Sequence, residues 1–126
     1  DPKDMKRVVL CTGKIYYDLL QERRNRNIDN VKLIRVEQLY PFPHQALEDE
    51  LVRYPNADII WCQEEPENQG YWSIVDRRIE AVLIEANIQA QRPLYVGREA
   101  SAAPAAGLMS RHKAAQEKQI AEALSV

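Results

Sequence analysis

No stretch of this chain approaches the roughly 18 consecutive apolar residues that a membrane-spanning helix requires. It does not open with the basic, apolar and small-residue tracts of a secretory leader, so a soluble intracellular protein is expected. Cysteine is scarce: Cys11 and Cys62 each end an apolar run, which reads as strand packing in a reducing compartment. A structural metal centre usually needs about four clustered ligands. The two histidines, His44 and His112, add no ligand spacing to the two cysteines, so no metal site is expected. With only 4 glycines and 7 prolines in 126 residues, the chain has no low-complexity or collagen-like composition. Neither sign of charge dominates, because 17 basic side chains face 19 acidic ones. The net charge of −2 leaves no basic footprint for nucleic acid or an anionic membrane surface.

What is present is enough for a core. The chain is 45% hydrophobic and of single-domain length, so residues 1–126 read as one domain that needs no disulfide. One arrangement recurs four times along it. KRVVLC (Lys6 to Cys11) is a short apolar run followed by Thr12-Gly13-Lys14 and a helical pattern through Ile15, Leu19 and Leu20. VKLIRV (Val31 to Val36) and a proline loop precede a helix carrying Leu47, Leu51 and Tyr54, with Pro43 suited to a first helical turn. ADIIWC (Ala57 to Cys62) runs into a polar turn, and Trp72, Val75, Ile79, Val82, Leu83 and Ala86 repeat at helical period. PLYVG (Pro93 to Gly97) enters SAAPAAG before a last amphipathic helix near Ile120 and Leu124. Strands apolar on both faces and alternating with helices imply an α/β fold. Its sheet should be mostly parallel and covered on both sides.

In such a sheet the loops leaving the carboxyl ends of the strands gather on one edge. TGK, EQLYPFP, QEEPENQG and GREASAAPAAG are therefore expected as neighbours. Thr12-Gly13-Lys14 lacks the glycine spacing of a phosphate loop or a dinucleotide fingerprint and reads as an ordinary strand-to-helix turn. Glu64 and Glu65 are adjacent on an extended segment and point to opposite faces, so they do not pair for acid–base work. Glu65, restricted by Pro66, is the expected inward anchor, accepting N–H groups from the Asn68-Gln69-Gly70 turn or pairing with Arg98. Arg23 and Arg24 read as a solvated charge run. No nucleophile with an adjacent base, metal cluster or phosphate cradle emerges, so no catalytic residue is expected.

The series VVLCTGKIYYDLL, VEQLYPFP, IIWCQEEPENQGYW, YVGREASAAPAAG and MSRHKAAQ resembles the carboxyl-terminal domain of the thiamine-dependent E1 component of 2-oxoglutarate dehydrogenase. The likeness runs in order over nearly the whole chain. More distantly, the pattern is similar to the last domain of transketolases. The resemblance implies a three-layer α/β/α domain with a mixed sheet of about five strands. It also implies that thiamine diphosphate, magnesium and the catalytic histidines belong to preceding domains, leaving no cofactor site here. The parent enzyme of that family decarboxylates 2-oxoglutarate and succinylates the lipoyl group of its E2 partner, a dihydrolipoyl succinyltransferase, in the tricarboxylic acid cycle. Implied partners are the preceding domains, an E1 homodimer partner and E2, in the cytoplasm of a bacterium or the mitochondrial matrix of a eukaryote. This domain would then be a joint, docking through Leu39, Tyr40 and Phe42 of one loop and Ser101 and Pro104 of another. Some relatives carry a nucleotide or acyl-CoA effector site near the loop that corresponds here to Gln38, His44 and Gln45, which sets an effector-binding module as the alternative reading.

Overall fold

Within the run Arg7–Cys11, Val8 and Leu10 point to one side and Val9 and Cys11 to the other, and all four are sealed from solvent. A strand buried on both faces needs a layer of helices above and below it. The structure, a computed structural model, describes residues 2–98 and 109–126, with the side chains of all but 109–112. Its elements are β1 (Arg7–Cys11), α1 (Ile15–Asn25), β2 (Val31–Arg35), α2 (His44–Leu51), β3 (Asp58–Pro66), α3 (Trp72–Ala86), β4 (Leu94–Arg98) and α4 (Met109–Leu124).

All described pairings are parallel, in the order β2-β1-β3-β4. The four strands come close to the expected count of about five. Right-handed crossovers that first run from β1 to β2, then reverse to β3 and β4, place α1 on one face and both α2 and α3 on the other. The side chains bear this out. Val8, Leu10 and Trp61 pack with Leu47 and Leu51 of α2 and with Val75, Ile79 and Leu83 of α3. On the opposite face Val9, Cys11, Ile60 and Cys62 pack with Ile15 and Leu19 of α1 and with Ile120, Ala123 and Leu124 of α4. The expected three-layer α/β/α arrangement is therefore present. α2 stops at Leu51, earlier than the apolar spacing suggests, yet Tyr54 stays buried beyond its end with its hydroxyl donating to Glu50 Oε1 at 3.2 Å.

The parallel register of β1 and β3, with Leu10 opposite Trp61, leaves Cys11 and Cys62 on the same face of the sheet. Burial pushes both thiols from 9.0 up to about 12, with Arg35 drawing Cys11 down a little and Cys11 raising Cys62 further. The reactive species is the thiolate. Both cysteines should therefore be inert to a thiol-specific disulfide reagent in the folded chain and titrate as two thiols in urea. The linkage has a definite sign: these groups keep their protons in the folded state while the unfolded chain releases them near 9.0. Stability should thus be full below that pH and decline above it. Urea midpoints measured across the alkaline range check the decline, and Cys62→Ala should flatten it.

Candidate functional site

β3 outruns its neighbours. It pairs with β4 through Cys62, the register then breaks, and pairing resumes at Pro66 opposite Arg98. Such an irregularity re-aims the side chains it contains. Gln63 turns inward and is only 3% exposed. Its Nε2 donates toward the carbonyls of Gln69 at 2.8 Å, Pro66 at 2.9 Å and Glu65 at 3.2 Å. Its Oε1 accepts the indole N–H of Trp61 at 2.9 Å and the backbone N–H of Trp72 at 3.0 Å. A neutral amide is the one side-chain group that offers two donors and an acceptor oxygen together, and a carboxylate offers no donor. The sequence reading missed Gln63 because it weighed charges before neutral amides. The signal was available in strand alternation, which gives Trp61, Gln63 and Glu65 to one side.

Glu65, expected to be the inward anchor, is exposed and joins the turn through its carbonyl. Gln63 lies nearer the core and fills the interior, so the Glu65 side chain is left lying over Gly70. A Cβ added at Gly70, whose φ is +67°, would come within 3.1 Å of Glu65 Cβ and 3.2 Å of Gln63 Oε1. Arg98 takes part through its carbonyl, which accepts the Glu67 N–H at 2.9 Å and the Tyr95 hydroxyl at 2.7 Å. Burial pushes that hydroxyl up to about 12. A Cβ at Gly97 would run into the Tyr95 ring and approach the Gln63 carbonyl at 3.0 Å, so any larger residue here must displace the Tyr95 ring. Asn68 sits exposed at the tip and Gln69 contributes its carbonyl. Glu64 faces the other way, as alternation requires. Gln116 of α4 donates its Nε2 to Glu64 Oε1 at 2.9 Å and to Asp18 Oδ2 of α1 at 2.7 Å, tying the strand end to both helices.

The residues of the expected effector site do not converge. Gln38 is exposed, 3.5 Å from the Tyr40 carbonyl, beside a cavity of about 290 Å³ that also meets Arg35, Glu37 and Glu50. Arg35 is already engaged by the Tyr17 hydroxyl at 2.8 Å and by Glu37 at 3.6 Å. Gln45 donates to Asp49 Oδ1 at 2.8 Å on the outer side of α2. His44 turns instead toward α3, with Nε2 2.7 Å from Glu85 Oε2 and 3.8 Å from Glu48 Oε1. The effector-module reading finds no support in this geometry, since two of the cavity's charges are acidic and its one cation is committed. Of the expected docking residues, Tyr40 is 90% exposed, while Leu39 and Phe42 are half-buried against the α2 and α3 core. Ser101 and Pro104 lie outside the described residues.

In three dimensions His44 stands beside two carboxylates. One ligand atom from each of His44, Glu48 and Glu85 lies within 4.8 Å of the others. His44 and Glu48 are one helical turn apart on α2, a spacing legible in the sequence, whereas Glu85 arrives from α3. Burial and the neighbouring Glu85 raise the Glu48 carboxyl above its usual range, while the hydrogen bond from His44 lowers Glu85. A second groove of about 410 Å³ between α1 and α4 sets Asp18, Glu22 and Glu117 beside Lys14, Arg26 and Lys113. Its charges balance, and Arg26 is held by Glu22 at 2.6 Å.

Replacing Gln63 by Ala should cost about 2–4 kcal/mol in urea unfolding, because turn carbonyls and the Trp61 indole lose partners at a buried position. Gln63→Glu should lose a similar amount at neutral pH, since it cannot donate. Glu65→Gln should stay within about 0.5 kcal/mol of the parent chain. An equal loss at Gln63 and Glu65 would contradict the assignment of the anchor.

Comparison with known proteins identifies the family. The family described as 2-oxoglutarate dehydrogenase C-terminal matches residues 1–124. The chain is 56% identical over 110 residues to proteins named 2-oxoglutarate dehydrogenase E1 component from Brucella anthropi, Brucella ovis and Brucella canis. The match covers 87% of this chain and 11% of each relative, so the chain spans about a ninth of their length. With its fold, its turn and nearly all its residues in that match, the chain belongs to the 2-oxoglutarate dehydrogenase C-terminal family, the carboxyl-terminal domain of the E1 component.

Proposed function

We propose that this domain is a joint: it packs against the preceding domains of an E1 chain and against a homodimer partner, and supplies no reacting group. The observation that carries the reading is the loop before α2, where Tyr40 stands 90% exposed between two half-buried apolar residues, Leu39 and Phe42. Large apolar side chains held outward by a well-packed base mark a contact surface. The parent enzyme would decarboxylate 2-oxoglutarate and pass the succinyl group to the lipoyl group of an E2 dihydrolipoyl succinyltransferase, as part of the tricarboxylic acid cycle. The relatives named above are bacterial, which favours the cytoplasm, and no described helix is long and apolar enough to cross a membrane.

Thiamine diphosphate with magnesium requires diphosphate and metal ligands in one place. The described residues do not fit that group. The groove between α1 and α4 balances every cation with an acid, and the His44 cluster gathers carboxylates. On this reading the rest of the E1 chain holds the cofactor.

The reading is tested in the full-length E1. Tyr40→Asp should weaken docking by about 1–2 kcal/mol, as expected for an aromatic anchor, and lower turnover of 2-oxoglutarate. The same change in the 126-residue chain should leave its own stability within about 0.5 kcal/mol, because the side chain has little to lose. Unchanged domain stability together with unchanged full-length turnover and assembly would overturn this docking face. Thiamine-dependent turnover by the 126-residue chain alone would overturn the joint itself.

A further inference from the structure

The contact between α2 and α3 contains a group that the joint reading does not use. His44 opens α2, Glu48 follows one turn later, and Glu85 is the penultimate residue of α3. We propose that His44, Glu48 and Glu85 form a site for a divalent transition-metal ion of the zinc class, which clamps α2 to α3. The proposal is independent of the docking face and of the parent enzyme's chemistry.

Three observations carry it. The first is distance. Ligand atoms about 2.0–2.2 Å from a tetrahedral ion stand roughly 3.3–3.6 Å apart. The His44 Nε2 separations of 2.7 Å to Glu85 and 3.8 Å to Glu48 bracket that range, so small rotamer adjustments suffice. The second is charge. A neutral imidazole with two carboxylates sums to −2, which a divalent ion closes to zero. The third is what surrounds the cluster. Elsewhere on this helix pair the acids have nearby donors: Glu50 has Arg53, Asp76 and Glu80 share Arg92, and Asp49 has the Gln45 amide. Among the described residues, Glu48 and Glu85 have only the His44 imidazole and each other, and no lysine or arginine pairs with either. One nitrogen and two oxygen donors suit zinc, whereas calcium and magnesium demand a fuller set of oxygens. The side chains of His44, Glu48 and Glu85 are 37%, 22% and 60% exposed, so the remaining coordination position is open to water.

The test is titration of the chelator-treated chain with Zn²⁺ by calorimetry, with Mg²⁺ and Ca²⁺ as controls and the unfolding temperature as a second readout. One saturable Zn²⁺ per chain is expected, with a rise in unfolding temperature that a chelator reverses. His44→Ala and Glu85→Gln should each weaken binding more than about tenfold, since even residues that merely hold a ligand in place change metal affinity by about 10–100-fold. Both changes lie at the surface, and circular dichroism confirms that the variants fold. His112→Ala, the only other imidazole, should leave the affinity unchanged. No saturable Zn²⁺ binding would overturn the proposal. So would affinity that survives His44→Ala, or equal binding of Mg²⁺.

Discussion

The buried amide of Gln63 is the interaction on which the carboxyl edge of this domain depends. β3 is the strand that carries the chain from the interior to the surface, and it does so with a register break that would strand several polar groups under a layer of side chains. A neutral amide satisfies groups on both sides of the break at once: an indole and a helix-start N–H at its oxygen, turn carbonyls at its nitrogen. Buried polar groups tolerate such positions only when fully paired. Because the Trp72 N–H is one of those partners, the start of α3 is fixed by the same residue that closes the turn. The tilted contact between the Trp72 and Tyr95 rings, 5.4 Å apart, then seats β4 beside it.

Much of this was legible in the sequence. Each apolar run became a strand, and each helical stripe became the buried face of a helix, because two-sided burial and 3.6-residue spacing are properties of the residues themselves. Val75, Ile79, Val82 and Leu83 illustrate the point, as they sit on one face of α3 wherever it packs. The turn was recognised as structural, but its anchor was assigned to Glu65. The phase of a strand says which residues share a side, and it does not say which of them reaches inward when the register breaks. The His44 cluster lay beyond sequence reasoning for a different reason: Glu85 belongs to another helix, and its approach depends on how α2 and α3 pack.

Among the described residues, the end of β3, on the edge at which ligands gather in many open parallel sheets, is occupied by structural bonds. Glu64 is held by Gln116 together with Asp18, and Gln63 fills the space beneath the turn. The outward features are the loop before α2, which leaves the carboxyl end of β2, and the seam where α2 meets α3.

The strand order also constrains how the chain acquires its shape. β1 is central, and its second neighbour is β3, with Arg7 opposite Asp58. During synthesis β1 therefore waits some fifty residues for this second partner, with Val8 and Leu10 lacking the cover that α2 and α3 later provide. Non-local parallel pairing of this kind is intrinsically slow, because loop closure must precede the contacts that reward it. No amino-terminal portion of the chain ending before β3 contains a sheet with a completed centre. A truncation that removes β3 therefore removes a neighbour of the central strand and Trp61, Ile59 and Ile60 from the two cores.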